Sequence, residues 1–474
     1  MGLMAFLPVI ALAQEADSAI QRASGLYSRP SLLSRLLLGT NYRSIWEAPV
    51  KAPVFRLSKS GLKIEELGGG QQTISLELED ARGREWVLRS IDKDVSKVLL
   101  PSFIPRSTVL PLLQEMTSAS FPYGPSIVSQ LAKAAGITAP QSRLFYVADD
   151  PALGKYRPLF AGRLCYLEQK EPTPDGSDAG KTEKLLEDLF SHNEHLVIQK
   201  EVLRARLLDM MIGDWDRHAD QWRWGSMGRG EEALYYAIPR DRDQAFFKSN
   251  GALVSVAKLF LPQFTGFSGD KLKLKKLNHK SWTFDRTFLN ELDEEAWQSG
   301  IQSFVSTLTN ERISDAVRML PANVYAMIGA SMERSLQRRR DALLKEGLSY
   351  YRYISQNVVV NGTEESESFH ITSKDGKLLL TVKDGGNGAR TLYERGFEHG
   401  ITFRVIVRGL GGADRFYIEE GAASRIRVEL WGGEGADVYD LRGNIRNTVY
   451  DNRKEDNTFT HTRKTRKRLQ AQPV

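Results

Sequence analysis

The chain has 474 residues, 41% hydrophobic and 26% charged, with a formal net charge of +6. That length can bury a sizeable core in two or three domains, and the balance excludes a disordered or low-complexity protein. A single cysteine, Cys165, excludes an internal disulfide and any multi-cysteine zinc centre.

From Leu3 to Ala13 the chain is an apolar run of h-region length, ending in the small-residue pattern Ala11-Leu12-Ala13 before Gln14 and Glu15 turn polar. This predicts a secretory signal peptide over residues 1–13, and the missing positive n-region leaves room for an upstream start. No other stretch has the length and apolarity of a membrane span, so the mature chain is expected to carry no transmembrane helix. Residues 14–60 read as an irregular N-terminal arm anchored by Trp46, Pro49 and Pro53.

Residues 61–170 open with a hairpin: Thr73–Glu79 alternates at period two, Asp80–Gly83 supplies the turn, and Glu85–Ile91 is the second strand. Gly68, Gly69 and Gly70 precede it. Two helical stretches are expected over 108–136, broken by Pro122-Tyr-Gly-Pro125, then strands at 144–147 and 162–168. From 171 to 348 the pattern is largely helical, most clearly at 199–212, 287–308, 310–319 and 322–345.

Two short acidic clusters interrupt that helical region, in Ile212–Trp222 and Ile238–Phe246. They hold Asp214, Asp216, Asp220, Asp241 and Asp243, about one hairpin apart. Carboxylates this close repel unless a cation, a proton or an arginine compensates; a phosphate-handling metal site would do so, and so would a salt-bridged loop. The apolar residues Leu207-Leu208 and Met210-Met211-Ile212 lead straight into the first cluster, so the acids are expected to emerge from a buried element.

Residues 349–455 change character to short alternating strands rich in glycine. Gly409-Leu-Gly-Gly-Ala-Asp-Arg-Phe416 is echoed by Leu430-Trp-Gly-Gly-Glu-Gly-Ala-Asp-Val-Tyr439, a repeat of roughly 20 residues that fits stacked β-turns. Glycine-rich Asp turns can also hold calcium, which makes Asp414 and Asp437 candidate ligands beside the plainer reading. Residues 456–474 read as a solvated basic tail; removing Arg463, Lys464, Arg466, Lys467 and Arg468 takes the net charge from +6 to +1. With no nucleic-acid motif beside them, no nucleic-acid partner is expected.

This layout resembles the protein-kinase-like fold, in its atypical branch of HipA toxins, CotH spore-coat kinases and secretory-pathway kinases. There a Gly/Asn-x-Asp-Arg-His-type loop carries the catalytic aspartate, matched here by Gly213-Asp-Trp-Asp216-Arg217-His218, with Asp241 to Phe246 as the metal-binding counterpart. The resemblance covers roughly residues 60–345 and implies an α+β fold: a small antiparallel sheet with helices, then a helical lobe, here followed by the β-rich module. It implies a phosphotransferase using Mg²⁺ and ATP, or another phosphate donor, on an unknown acceptor.

Asp216 would then take or orient the proton of the attacking hydroxyl, with Arg217 and His218 completing the catalytic loop and His218 bracing it. Asp241, with Asp243, would ligate the metal. Gln221 stands where typical kinases place a metal-binding asparagine, a departure that puts a second metal in question. Arg89 replaces the phosphate-anchoring lysine, with Lys93 four residues later and Glu115 as the partner of that cation. Glu168 would lie near the adenine-binding connector, and the backbone of Gly68 to Gly70 would approach phosphate.

More narrowly, the chain is similar to an uncharacterised envelope-protein family of Gram-negative bacteria. The shared residues are Gly39–Arg43, the Trp-x-x-Pro-Val of 46–50 and the Gly213–Trp222 block. In that family such regions lie beside a calcineurin-like phosphoesterase domain and a surface-antigen (BamA-type) barrel. Neither is read here, which leaves a fragment or a shortened relative open. This implies the periplasm or outer membrane, with an outer-membrane protein as partner.

Two readings compete. A metallophosphoesterase would need an upstream Asp-x-His and a downstream Gly-Asn-His-Asp/Glu; the sequence offers only Asp216-Arg-His218 and an incomplete Asn278-His279, so it is set aside. A catalytically inactive kinase-like binding or assembly module is the stronger rival, because an exported chain meets no ATP pool.

Overall fold

The computed structural model describes residues 17–27, 35–36, 39–68, 73–93, 114, 117–228, 232–248, 250–252, 261–268, 272–385 and 390–470. Its first sheet comprises β1 (Ser18–Arg22), β2 (Pro49–Phe55), β3 (Lys63–Gly68), β4 (Ser75–Glu79), β5 (Glu85–Ser90), β6 (Arg143–Val147) and β7 (Leu164–Gln169), in the order β1-β2-β6-β7-β5-β4-β3. β4 and β5 form the expected hairpin, and Gly83 closes its turn at φ +75°, a conformation that favours glycine. Leu76, Leu78, Leu88 and Leu167 face a buried core on one side of the sheet. On the other side Arg89 lies directly across from Tyr166, and Glu168 follows two residues along on the same face.

The segment expected as an irregular arm is part of this sheet. β1 pairs with β2 along its length, and buried Trp46 donates from Nε1 to the Ser120 carbonyl at 3.0 Å. Pro49 and Pro53 hid the strand because a residue without an N–H argues against a central strand.

The helical lobe contains α1 (Gly124–Ala134), α2 (Thr182–Ser191), α3 (Gln199–Ile212), α4 (Trp282–Phe288), α5 (Glu294–Thr307), α6 (Asn310–Val317) and α7 (Ala330–Ile354). The single helix expected over 287–308 is two, because Asp293 caps α5 by accepting from the Ala296 amide at 2.9 Å. The last helix runs on to Ile354, behind a π-helical turn at Tyr325–Gly329. From Leu207 to Ile212 α3 is buried on every face, so it passes through the centre of the lobe and ends at Gly213, φ +72°. Buried Arg339 of α7 caps that end, donating to the Met211 and Met210 carbonyls at 2.6 and 2.8 Å.

A small sheet of β8 (Gly180–Lys181), β9 (His195–Val197), β10 (Trp222–Met227) and β11 (Ala233–Pro239) completes the lobe. Its antiparallel register sets Trp222 opposite Pro239. The loop entering β10 and the loop leaving β11 therefore lie side by side, which brings the two acidic clusters together.

The C-terminal module is a solenoid. Its strands are β12 (Asn357–Asn361), β13 (Glu367–Lys374), β14 (Lys377–Asp384), β15 (Thr391–Phe397), β16 (Arg404–Leu410), β17 (Arg415–Ile418), β18 (Ala423–Gly433), β19 (Val438–Leu441), β20 (Asn444–Asn452), β21 (Thr458–His461) and β22 (Thr465–Gln470). One sheet is parallel, β12-β16-β18-β20-β22; the other stacks β13, β17, β19 and β21 in parallel and adds the antiparallel strands β14 and β15 at its edge. The chain alternates between the sheets, so each rung contributes one strand to each.

Each turn between the sheets reuses one pattern. Asp414 Oδ1 accepts the Glu367 amide at 2.8 Å, Asp437 Oδ1 the Asp414 amide at 2.8 Å, and Asn457 Oδ1 the Asp437 amide at 2.7 Å. Two residues beyond each acceptor, aromatic rings stack inside the solenoid: Phe416 on Tyr439 at 4.9 Å and Tyr439 on Phe459 at 4.8 Å. Asp414 and Asp437, candidate calcium ligands by sequence, thus serve an amide ladder. Among the described residues no group of three or more metal-binding side chains is found.

The basic segment expected as a solvated tail instead supplies β21 and β22, the last rungs. No helix among the described residues is long and apolar enough to cross a membrane.

Candidate active site

Behind the two acidic loops lies a fully buried ionic network. Asp209, on α3, accepts from Arg242 Nε at 2.8 Å, Arg206 Nη1 at 3.0 Å and Arg217 Nε at 3.2 Å. Arg206 also bonds Asp285 at 2.7 Å, and Asp285 accepts the Tyr350 hydroxyl at 2.7 Å. Burial would raise the Asp209 carboxyl, but Arg217, Arg242 and Arg206 outweigh it and hold it below the ordinary range. One carboxylate thereby ties together a helix, the first acidic loop through Arg217 and the second through Arg242.

In front, a cleft separates the first sheet from the lobe. Its lining includes Arg89, Tyr166, Glu168, Asp241 and Asp243, and it encloses about 70 Å³ of free space. Arg89 Nη1 reaches Asp241 Oδ1 at 3.1 Å, and Nη2 stands 3.6 Å from Glu168. Lys93 Nζ meets Asp243 Oδ2 at 2.5 Å. The Asp241 side chain is 39% exposed, yet the protein packed around it and the neighbouring Asp243 push its carboxyl up. For Asp243, burial is outweighed by Lys93, and the carboxyl is held low. Asp241 takes a left-handed backbone, φ 50°, and Phe246 likewise at φ 62°, strained positions for residues with side chains.

The first loop carries two more acids. Asp214 is 1% exposed; its Oδ1 accepts the Asp216 amide at 3.2 Å, and its Oδ2 has no hydrogen-bond partner among the described residues. Burial pushes its carboxyl up to about 7, with Arg217 opposing and Asp209 and Asp243 adding. Asp216 is more open and pairs with Lys280 Nζ at 3.0 Å.

The structure thus gathers Arg89, Lys93, Glu168, Asp241 and Asp243 at the cleft, with Asp216 on the adjoining loop. It departs from expectation at three positions. Arg217 is fully buried, donates to the Arg240 carbonyl at 2.6 Å and lies 4.9 Å from the Trp222 ring, so it braces the loop rather than facing the cleft. Gln221 Oε1 accepts from Arg217 Nη1 at 2.5 Å, so the oxygen expected to ligate a metal is taken up by the guanidinium. The His218 side chain is 45% exposed, 3.7 Å from Asp220, so the bracing expected of it falls to Arg217. Gly68 ends β3 opposite Ser75. Glu115, Gly69 and Gly70 lie outside the described residues.

Sequence reasoning missed Lys280, Asp209, Arg206 and Arg242. Lys280 adjoins Asn278-His279, considered only as a metal motif, and the network residues are scattered along the chain.

No family model matches the chain, and no curated protein matches it. Among solved structures it is similar to the Helicobacter pylori proinflammatory kinase CtkA, at 10% identity and TM-score 0.35 over 63% of this chain and 99% of that one. It is also similar to the Golgi casein kinase with Mn and ADP bound, at 10% identity and TM-score 0.31 over 60% of this chain and 73% of that one. A third is Shewanella oneidensis HipA, in a complex with HipB and operator DNA, at 10% identity and TM-score 0.30 over 71% and 74%. Scores this low define neither fold nor chemistry; the α+β fold stated above rests on the chain's own strands and helices.

Proposed function

We propose that the chain is an exported, two-lobed kinase-like phosphotransferase that uses Mg²⁺ and ATP, or another phosphate donor, on an acceptor hydroxyl. The observation that carries this reading is the cleft itself. Two cations, Arg89 on β5 of the first sheet and Lys93 just beyond that strand, face two carboxylates from the helical lobe, Asp241 and Asp243, with Asp216 on the adjoining loop.

Asp241 and Asp243 suit Mg²⁺: they offer hard carboxylate oxygens, and the ion takes one or two of these before completing its shell with phosphate and water. When bound with the nucleotide, the ion would neutralise phosphate charge. The chain's own groups do the rest. Arg89, a rigid two-pronged donor, and Lys93, a point charge, transfer from the acids to phosphate oxygens. Asp216 accepts the acceptor's proton, and Lys280 beside it supplies positive charge near the transferred group. Asp209, through Arg217, keeps the Asp216 loop in place. Export is supported by the apolar run at 3–13, and an outer-membrane protein is the partner that setting suggests.

One observation favours the inactive alternative. Asp241 and Asp243 are already paired with Arg89 and Lys93, so a nucleotide and its cation must displace these pairs before they can use the acids. Thermal unfolding of the full chain with ATP, GTP and Mg²⁺, beside Asp241→Ala, separates the readings. A midpoint raised by nucleotide only with the cation, and not in the variant, is the expected result, since a ligand of the folded state must stabilise it. An unchanged midpoint at millimolar nucleotide would leave the binding module.

A further inference from the structure

The solenoid sheet β12-β16-β18-β20-β22 has two unlike faces. Inward it presents Val405, Val407, Ile426, Val428, Leu430, Ile445 and Val449, all buried. Outward, beginning at β16, it presents arginine on every strand. β16 carries Arg404 and Arg408, and β18 carries Arg425 and Arg427. β20 adds Arg446, and β22, whose residues looked like a solvated tail, adds Arg466 and Arg468. The acid among them on these strands is Glu429, which pairs with Arg404 at 3.1 Å. Among the described residues the opposite sheet carries fewer outward cations and no arginine column: β17 and β19 present Arg415 and Asp440, and β13 and β14 present Lys374, Lys377 and Lys383, of which Lys377 pairs with Glu398 at 2.9 Å.

The register keeps these side chains on one face, although the β18–β20 pairing shifts between Ser424 and Val428. Arg404 stands opposite Arg427, Thr448 opposite Arg466, and Tyr450 opposite Arg468. At strand spacings of about 4.8 Å and about 3.3 Å per residue, the patch measures roughly 15 by 13 Å. Within it Trp431 and Tyr450 stack at 4.2 Å and 14°, with Arg408 at 5.9 Å from the tryptophan ring and Arg468 at 5.5 Å from the tyrosine ring. This arginine–ring–ring–arginine column has consequences for the ligand. Both rings have their faces covered, so neither offers the open stacking platform that single-stranded nucleic acid uses. Both arginines stay exposed, and guanidinium groups can pair with phosphate through two N–H donors.

Phe403, at the start of β16, adds an apolar element. It is 53% exposed and shares a surface cleft with Arg404, Arg425 and Arg427. A flat arginine field with an exposed aromatic beside it matches a lipid headgroup layer, where phosphates meet the cations and the ring enters the interface. We propose that this outward face of the solenoid docks on an anionic phospholipid surface.

The test is co-sedimentation of the full chain with phosphatidylcholine vesicles, pure or with about a third phosphatidylglycerol, over a range of salt. Binding is expected to the anionic vesicles alone and to weaken as salt rises. The triple variant Arg425→Gln, Arg446→Gln, Arg466→Gln removes three outward charges. At about 1 kcal/mol, or about fivefold, per arginine, affinity should fall on the order of a hundredfold with an unchanged unfolding midpoint. Arg415→Gln on the opposite sheet should change little, and Phe403→Ser should weaken binding at every salt concentration. Equal binding to neutral vesicles, or by the triple variant, would overturn the proposal, as would no binding at all. Tighter binding to an oligothymidylate than to vesicles at equal phosphate, lost in the same variant, would reassign the face to nucleic acid.

Discussion

The helical lobe and the solenoid both bury carboxylates, and they neutralise them by different means. In the lobe Asp209 is surrounded by guanidinium groups and stays ionised. In the solenoid Asp414, Asp437 and Asp451 are equally buried but lie among one another, with backbone amides as donors. Burial pushes Asp414 up to about 9 and Asp437 up to about 7, and the neighbouring acids add to both shifts. A buried acid with a cation keeps its charge; one without keeps its proton. The same residue type therefore makes the lobe sensitive to loss of a partner and the solenoid sensitive to pH.

The sharpest way to break this contrast is Asp209→Ala. It leaves Arg206, Arg217 and Arg242 buried with an acid removed from among them, and should destabilise the lobe by about 3–5 kcal/mol in urea unfolding followed by tryptophan fluorescence. Gly409→Ala attacks the other region. A Cβ there would collide with Asp414 Oδ2 and the Gly432 carbonyl, and about 1–3 kcal/mol should be lost from solenoid amides in hydrogen exchange.

A smaller effect is the opposite pH dependence of the two regions. Asp414 and Asp437 have folded values above the unfolded 3.8, so their stabilisation is complete below that pH and is lost as pH rises through about 7 and about 9. Asp209, held below 3.8, contributes above that pH and loses its contribution as pH falls. Protection of the solenoid amides, taken relative to the base-catalysed intrinsic exchange rate, should therefore fall on going from about pH 5 to 8. Lobe stability should fall in acid through Asp209, while Asp214, pushed up to about 7, adds a loss as pH rises through that value. Asp437→Asn should flatten the solenoid slope; an unchanged slope would mean that the carboxyls do not hold their protons. The least effect is expected for Lys280→Met, whose half-exposed ion pair should leave unfolding within about 0.5 kcal/mol. Any phosphotransfer should still drop, because that cation stands beside Asp216.

Much of the lobe was readable in the sequence because its periodicity is local. Helix α3 and the approach of the two acidic clusters follow from an apolar run and an intervening hairpin. What escaped depended on partners far along the chain. Arg217 and Gln221 look like site residues until the distant Asp209 and the Arg240 carbonyl are seen to engage Arg217.

The solenoid repeat was half visible. Gly409, Asp414 and Phe416 match Gly432, Asp437 and Tyr439, yet the same offsets at Gly362, Glu367 and Phe369 are masked by the inserted strands β14 and β15. At Asn452, Asn457 and Phe459 the glycine and acid are replaced. β22 escaped for another reason: Thr465-Arg-Lys-Arg-Leu-Gln470 packs against one neighbouring rung and carries no apolar alternation.

Helix α7 has a mechanical consequence. Near its middle Arg339 grips the end of α3 from which the acidic loop departs. Past its end, Ser355 Oγ accepts from Arg395 of the solenoid at 3.0 Å and its carbonyl from Thr402 at 2.9 Å. The rise of about 1.5 Å per residue puts these fastenings roughly 24 Å apart on one stiff beam. Whatever immobilises the solenoid thereby also sets the height and tilt at which the acidic cleft is presented, as a gantry fixes the tool it carries.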